Sequence, residues 1–320
     1  MKIRNKNIGK GHPTYVILEI ARTYDNDIGK AHELISAASK FGANAIKIQS
    51  IIPKELMVLN SNTKEYFEYL GTLERNLDFH KSISKLCHSY GLDFLSSPEG
   101  ITMVDLLEDI DVPAYKIASL NLVYDKLLEH VARKGKPVIL STGMGTEKEI
   151  ERASNIVKQY NNDLVLMHCS STYPTLPKNA NLNNIKTLKK YSDYVGYSDH
   201  TIGINAPVLA VSMGADIIEK HFTYDRNQKG ADHEVALDFK GLELMMNCIR
   251  QAETYMGTSE RILCDEEYEA RQFKYGLTIP GVGKAQSYES FKDNTVESYT
   301  REDIDKGINL RKSFTDSKVL

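Results

Sequence analysis

The sequence predicts a closed (β/α)8 TIM barrel followed by a short, divergent C-terminal appendage. Two observations carry that expectation and a third excludes its main competitor. Eight short, apolar, β-branched runs recur between residues 15 and 222. The segments between them carry helical spacing. The glycine-rich GxGxxG turn expected after the first strand of a dinucleotide-binding sheet is missing. Near-continuous apolar strands alternating with helices imply a parallel sheet covered by helices. Eight such units in roughly 240 residues fit a closed barrel better than an open, doubly wound sheet.

The runs are, in order, YVILEIA (15–21), AIKIQS (45–50), DFLSSP (93–98), AYKIAS (114–119), PVILST (137–142), LVLMHCSS (164–171), YVGYSDH (194–200) and DIIEKHF (216–222). After the first, Ile28, Ala31, Leu34, Ile35 and Ala38 form one helical stripe that stops at Gly42, a natural helix end. Two later helical segments stop likewise at Gly91 and Gly135. Thr146 with Glu149 three residues on predicts a capping box. Residues 51–72 form a long insertion after the second strand, on the face of the strand C-termini, where it could cover a site. The barrel is expected over residues 1–257. Residues 258–320, charged and poorly periodic, form an extension without an assignable fold.

Composition narrows the function. Lys and Arg number 40 against 43 Asp and Glu, a formal net charge of −3, which leaves no electrostatic footprint for nucleic acid or an anionic membrane. No run of about 18 apolar residues predicts a membrane span. The basic N-terminus lacks the apolar core of a secretory signal. Cys87, Cys169, Cys248 and Cys264 are far apart and make no CxxC, which predicts reduced thiols in a cytoplasmic protein.

The chemistry collects at the strand C-termini, where barrels of this class build their sites. Glu19, Lys47, Gln49, Ser96, Ser97, Lys116, Ser119, Ser141, Thr142, His168, Ser170, Ser171, Ser198, His200, Glu219 and His221 all fall there. Side chains two apart share a face of a strand, so Lys47 with Gln49, Ser198 with His200, and Glu219 with His221 point together. A single late-strand lysine is usually a snorkelling surface residue, and a lone histidine is usually hydrogen-bonded core. His12, His32, His80, His88 and His130 are read that way, and Cys169 as a small buried hydrophobe. Almost every strand ending in such groups is harder to ascribe to a solvated rim. Two lysines with several hydroxyls suit a small polyanion bearing phosphate and carboxylate. Two histidines on adjacent strands suit a borderline divalent metal, Mn2+ or a similar ion such as Mg2+ or Co2+. Glu19, Glu219 and Asp232 remain for proton transfer.

These motifs resemble the sialic acid synthase (N-acetylneuraminate synthase-like) family. The resemblance covers about residues 15–257 and rests on AIKIQS, DFLSSP, VPAYKIASLNL, GKPVILSTGM, LMHCSSTYPT, VGYSDHTIGI and GADIIEKHFTYDR with GADHEVAL, in that order. It implies a metal-dependent condensation of phosphoenolpyruvate with an N-acetylated hexose, N-acetylmannosamine or a related bacterial amino sugar. It implies His200 and His221 as metal ligands, and Lys47, Ser97, Lys116, Ser119, Ser141, Ser171 and Ser198 around phosphoenolpyruvate. Gln49, Glu219 and Asp232 would surround the sugar and the reacting atoms, with Glu19 a further acid–base group. A homodimer is implied as well.

The chain departs from the family pattern in three places. Arg22-Thr23-Tyr24-Asp25 stands where the family has Asn-His and an acidic residue. Gly230-Ala231-Asp232-His233, with Ala236 downstream, replaces Gly-Pro-Asp-His and a later serine. Residues 258–320 match the family's antifreeze-like domain poorly, leaving Arg271, Arg301 and Arg311 as candidates for the arginine that domain lends to a partner. Two other functions stay open: a related synthase or pyruvate aldolase for another aldose, and a catalytically impaired barrel that binds sugar or phosphoenolpyruvate.

Overall fold

The computed structural model describes residues 1–24 and 27–267, with the backbone of 293–294 and 312–313. The chain divides into two compact units, Met1–Gly257 and Thr258–Leu320. Asp25, Arg271, Arg301 and Arg311 lie outside the described residues.

The first unit contains eight parallel strands: β1 Tyr15–Glu19, β2 Ala45–Ser50, β3 Asp93–Pro98, β4 Tyr115–Ile117, β5 Val138–Ser141, β6 Leu164–Cys169, β7 Tyr194–Asp199 and β8 Ile217–His221. They pair in the order β3-β2-β1-β8-β7-β6-β5-β4. That order is cyclic. The last strand lies beside the first, from Ile217 opposite Tyr15 to His221 opposite Glu19, so the sheet has curled back on itself as a TIM barrel does.

Each strand is buried on both faces, and alternation sorts its side chains into two layers. Val16, Leu18 and Ile20 point outward into the layer shared with the helices. Tyr15, Ile17, Ala45, Leu95, Ala114, Ile139, Val165, Met167 and Ile217 fill the barrel interior. A hairpin, Lys2–Ile3 paired with Lys6–Asn7, closes the lower end by adding Ile3 and Ile8 to that inner cluster. There Asp93, buried, accepts from the Tyr15 hydroxyl and from Lys6, each at 2.7 Å.

One step of two residues above this inner layer come Glu19, Lys47, Ser97, Lys116, Ser141 and Glu219. The period-2 rule that fills the core therefore lifts the polar set onto the floor of the upper mouth. Six strands are shorter than the apolar runs predict, β5, β7 and β8 by one or two residues. β1 stops at Glu19 and β6 at Cys169. β4 stops at Ile117 because the Ala118 carbonyl accepts from Asn121 N–H at 3.0 Å, turning Ser119–Asn121 into a 3-10 turn.

The helices follow their caps. Ile28–Lys40 ends with Gly42 at φ 81°, a left-handed conformation that favours glycine. Glu147–Lys158 opens with the predicted capping box between Thr146 and Glu149. The long insertion forms two helices, Pro53–Leu56 and Lys64–Leu73.

Candidate active site

A cavity of about 370 Å³ occupies the upper mouth of the barrel. Glu19, Lys47, Gln49, Ser97, Lys116, Ser119, Ser141, Ser171, Ser198, His200, Glu219, His221 and Asp232 all line it. The insertion contributes Leu56, Tyr66 and Leu70 to the same walls, and the loop after β1 contributes Arg22.

The floor is a chain of opposite charges. Lys47 pairs closely with Glu19, donates to Ser97 Oγ at 3.1 Å, and stands 3.8 Å from Glu219. Glu219 stands 3.6 Å from Lys116 and accepts from the Ser198 hydroxyl at 3.1 Å. All four ionisable groups are buried. Burial alone would discharge Lys47, but Glu19 and Glu219 together hold its proton more firmly than usual. For Lys116 burial wins over Glu219, with Lys47 adding repulsion, and its ammonium is weakened. Burial pushes the Glu19 carboxyl up despite Lys47. Glu219 faces the same burial, yet Lys116 and Lys47 together bring it below the ordinary carboxylate range.

Two imidazoles sit above this floor with ring centroids 5.4 Å apart. His200 Nδ1–H donates to the Ser170 carbonyl at 2.7 Å, which leaves Nε2 as the lone-pair nitrogen, accepting from the Tyr173 hydroxyl at 2.7 Å. Burial lowers His200, and it lowers His221 further, with His200 and Lys47 adding repulsion. Both rings are therefore neutral at physiological pH, the form that ligates metals. His221 Nδ1 faces Asp232 Oδ2 at 3.7 Å, beyond hydrogen-bond range, and neither atom has another hydrogen-bond partner. The buried Ser141 Oγ and Glu219 Oε2 are also without one. Two neutral imidazoles beside unsatisfied carboxylate oxygen suit a divalent ion. Among the described residues no three His, Cys, Asp or Glu side chains converge on one point, so further ligands would be water or substrate.

Other residues at the strand ends point away from the cavity. Ser96 hydrogen-bonds the Ser50 hydroxyl at 2.5 Å, and Ser50 meets His80 at 2.7 Å. Thr142 donates to the Met167 carbonyl at 2.9 Å. His168 bonds the Ala180 carbonyl at 2.7 Å and stacks on Tyr197, lining a separate cavity with Ser170. These four follow from alternation: each is one residue off the inward register. Sequence reasoning missed Glu99 and Tyr173. Glu99, buried and pushed up by that burial, accepts from Asn121 at 2.6 Å. Tyr173 stacks on His200 at 4.1 Å. Both sit just beyond a strand end, Glu99 directly after SSP and Tyr173 inside SSTYPT, so an apolar-run search stops short of them.

A barrel with this mouth is an enzyme of the synthase type. The chain belongs to the NeuB family, whose model matches residues 34–261. It is 43% identical to an uncharacterized protein of Methanocaldococcus jannaschii over 82% of this chain and 77% of that one. It is 35% identical to pseudaminic acid synthase of Campylobacter jejuni over 87% of this chain and 84% of that one. Among solved structures, the N-acetylneuraminic acid synthetase of Leptospira borgpetersenii, in complex with citrate, superposes with a TM-score of 0.81 at 32% identity, covering 87% of this chain and 96% of that one. No helix among the described residues is long and apolar enough to cross a membrane.

Proposed function

We propose that this chain condenses phosphoenolpyruvate with an N-acetylated amino hexose, yielding a nonulosonic acid and phosphate by C–O cleavage. The observation that carries the reading is the convergence of Lys47, Lys116 and five serine hydroxyls with an imidazole pair and buried carboxyl groups in one cup. The names of the relatives, which differ in product, support the reaction class and leave the acceptor to experiment.

The two lysines match the anionic ends of phosphoenolpyruvate, and Ser97, Ser119, Ser141, Ser171 and Ser198 supply hydroxyls around them. Gln49, on the same face as Lys47, reaches toward the sugar. His200 and His221 would hold a divalent ion, Mn2+ with Mg2+ or Co2+ as substitutes, which when bound supplies Lewis acidity toward the acceptor carbonyl. Glu19, its carboxyl pushed up by burial, stands as the proton donor to the aldehyde oxygen as carbon 3 of phosphoenolpyruvate forms the new bond. Glu219, held ionised by the lysines, offsets the positive charge that develops at carbon 2. Asp232 takes one proton from the water that adds at carbon 2; the C–O bond to phosphate then breaks as the carbon-2 hydroxyl becomes the carbonyl and its proton leaves with the phosphate. The enzyme works as a cytoplasmic homodimer on this reading; sedimentation of the full chain tests the homodimer.

The weakened ammonium of Lys116 favours one rival, a pyruvate aldolase using a Schiff base. One assay separates the two. Phosphate release from phosphoenolpyruvate is followed with Mn2+ across N-acetylmannosamine and 2,4-diacetamido hexoses, with and without chelator. Sugar-dependent, chelator-sensitive release is expected. Silence across the panel, with pyruvate trapped on the protein by borohydride, would hand the site to the aldolase.

A further inference from the structure

A second cavity, of about 490 Å³, opens beside the first. Its walls come from the segments after β5 and β6 and from the helix Asn184–Leu188. Met144, Cys169 and Ser171 line both cavities and so form a shared wall.

The two linings differ in kind. Arg22, Lys47 and Lys116 face the first cavity, whereas no lysine or arginine lines the second. Its one carboxylate, Glu147, is already engaged, 3.2 Å from Lys190 and accepting from the Tyr191 hydroxyl at 2.7 Å. These walls carry no cation to balance the charge of a phosphate or carboxylate. What they offer is neutral hydrogen bonding. Asn179, Asn181 and Asn184 make no side-chain hydrogen bond among the described residues, so three carboxamides, each both donor and acceptor, are uncommitted. His168, neutral through burial, donates from Nε2 to the Ala180 carbonyl, which leaves Nδ1 as an acceptor. Ile150 and Leu188 add apolar surface.

Paired hydroxyls and C–H faces are the surfaces of a sugar ring, and carboxamides beside aliphatic side chains complement both. The volume lies within the range of about 300–1,000 Å³ usual for small-molecule sites. We infer that this second cavity is a binding site for a neutral, ring-closed sugar, separate from the site in the barrel mouth.

The probes are the methyl glycosides of N-acetylglucosamine and glucose, whose locked rings cannot open to an aldehyde. Binding to the full chain is followed by saturation-transfer NMR and calorimetry. Binding of at least one glycoside is expected to survive Lys116→Met and His221→Ala in the mouth. It should weaken about tenfold, the equivalent of one or two hydrogen bonds, in Asn184→Leu and in Thr187→Arg. Circular dichroism confirms that each variant is folded. Binding that is lost with the mouth substitutions and kept in the other two would overturn the inference, as would no binding of either glycoside. Phosphate release is measured on Asn184→Leu in parallel and stays near the wild-type rate, so this site and the synthase reading stand or fall separately.

Discussion

Two buried clusters of charge lie on opposite faces of the same two strands. Behind β7 and β8, Lys220 and Asp199 pair at 2.6 Å, both wholly inaccessible to solvent. Every remaining demand is met there: Asp199 accepts from Tyr197 at 3.0 Å and from Thr201 N–H at 2.9 Å, while Lys220 donates to the Thr201 carbonyl at 2.5 Å. One residue away in sequence, on the inner face, Glu219 and His221 have buried atoms with no hydrogen-bond partner. A buried polar group left unpaired costs about 1–3 kcal/mol. A fold that satisfies one cluster completely and leaves its neighbour open has kept the open one for a ligand. Satisfaction, more than charge or burial, separates the Lys220–Asp199 pair from Glu219 and His221 on the inner face.

The sharpest way to break this contrast is to substitute on each face and measure both turnover and stability. His221→Ala should abolish phosphate release, by about a thousandfold or more, with the melting temperature little changed. Lys220→Met should do the opposite. It strands Asp199 in the core and destabilises by about 3–5 kcal/mol in urea unfolding. If Lys220→Met unfolds like the wild type, or His221→Ala loses as much stability as activity, the division of labour is wrong.

A smaller effect sharpens the same point. Ser141 Oγ is buried and unpaired, so Ser141→Ala should stabilise the apo protein by about 1 kcal/mol. The same substitution should raise KM for phosphoenolpyruvate severalfold while kcat changes less. Destabilisation by this change would mean that the hydroxyl already had a partner.

Much of this was legible in the sequence because two periodicities carry it. Strand alternation turned Lys47 with Gln49, and Glu219 with His221, into inward pairs, and the apolar runs located all eight strands. The same rule, applied strictly, would have turned Ser96 and His168 outward; counting polar residues near strand ends blurred their register. Tyr173 and Glu99 were beyond reach, because their approach to the mouth depends on how loops return after the strands end. No periodicity encodes that path. The Lys220–Asp199 pair was invisible for a different reason: a lysine and an aspartate 21 residues apart announce a partnership only once β7 and β8 are laid side by side.

Histidines extend the comparison to pH, with the smallest expected effect. His168, outside the mouth, is buried and its pKa lowered, burial outweighing the bond to Ala180. In the unfolded chain it returns to about 6.5. Its contribution to stability is therefore whole above that pH. As the pH falls below it, the unfolded state binds the proton first and the contribution drains away, by at most about 1.4 kcal/mol per pH unit. His168→Gln removes the titrating group. The variant should be less stable than the wild type at pH 7.5, and the gap should narrow toward pH 5.5, as read from paired urea titrations. A gap constant with pH would mean that His168 carries the same proton in both states, and that it is not the neutral acceptor the second cavity requires.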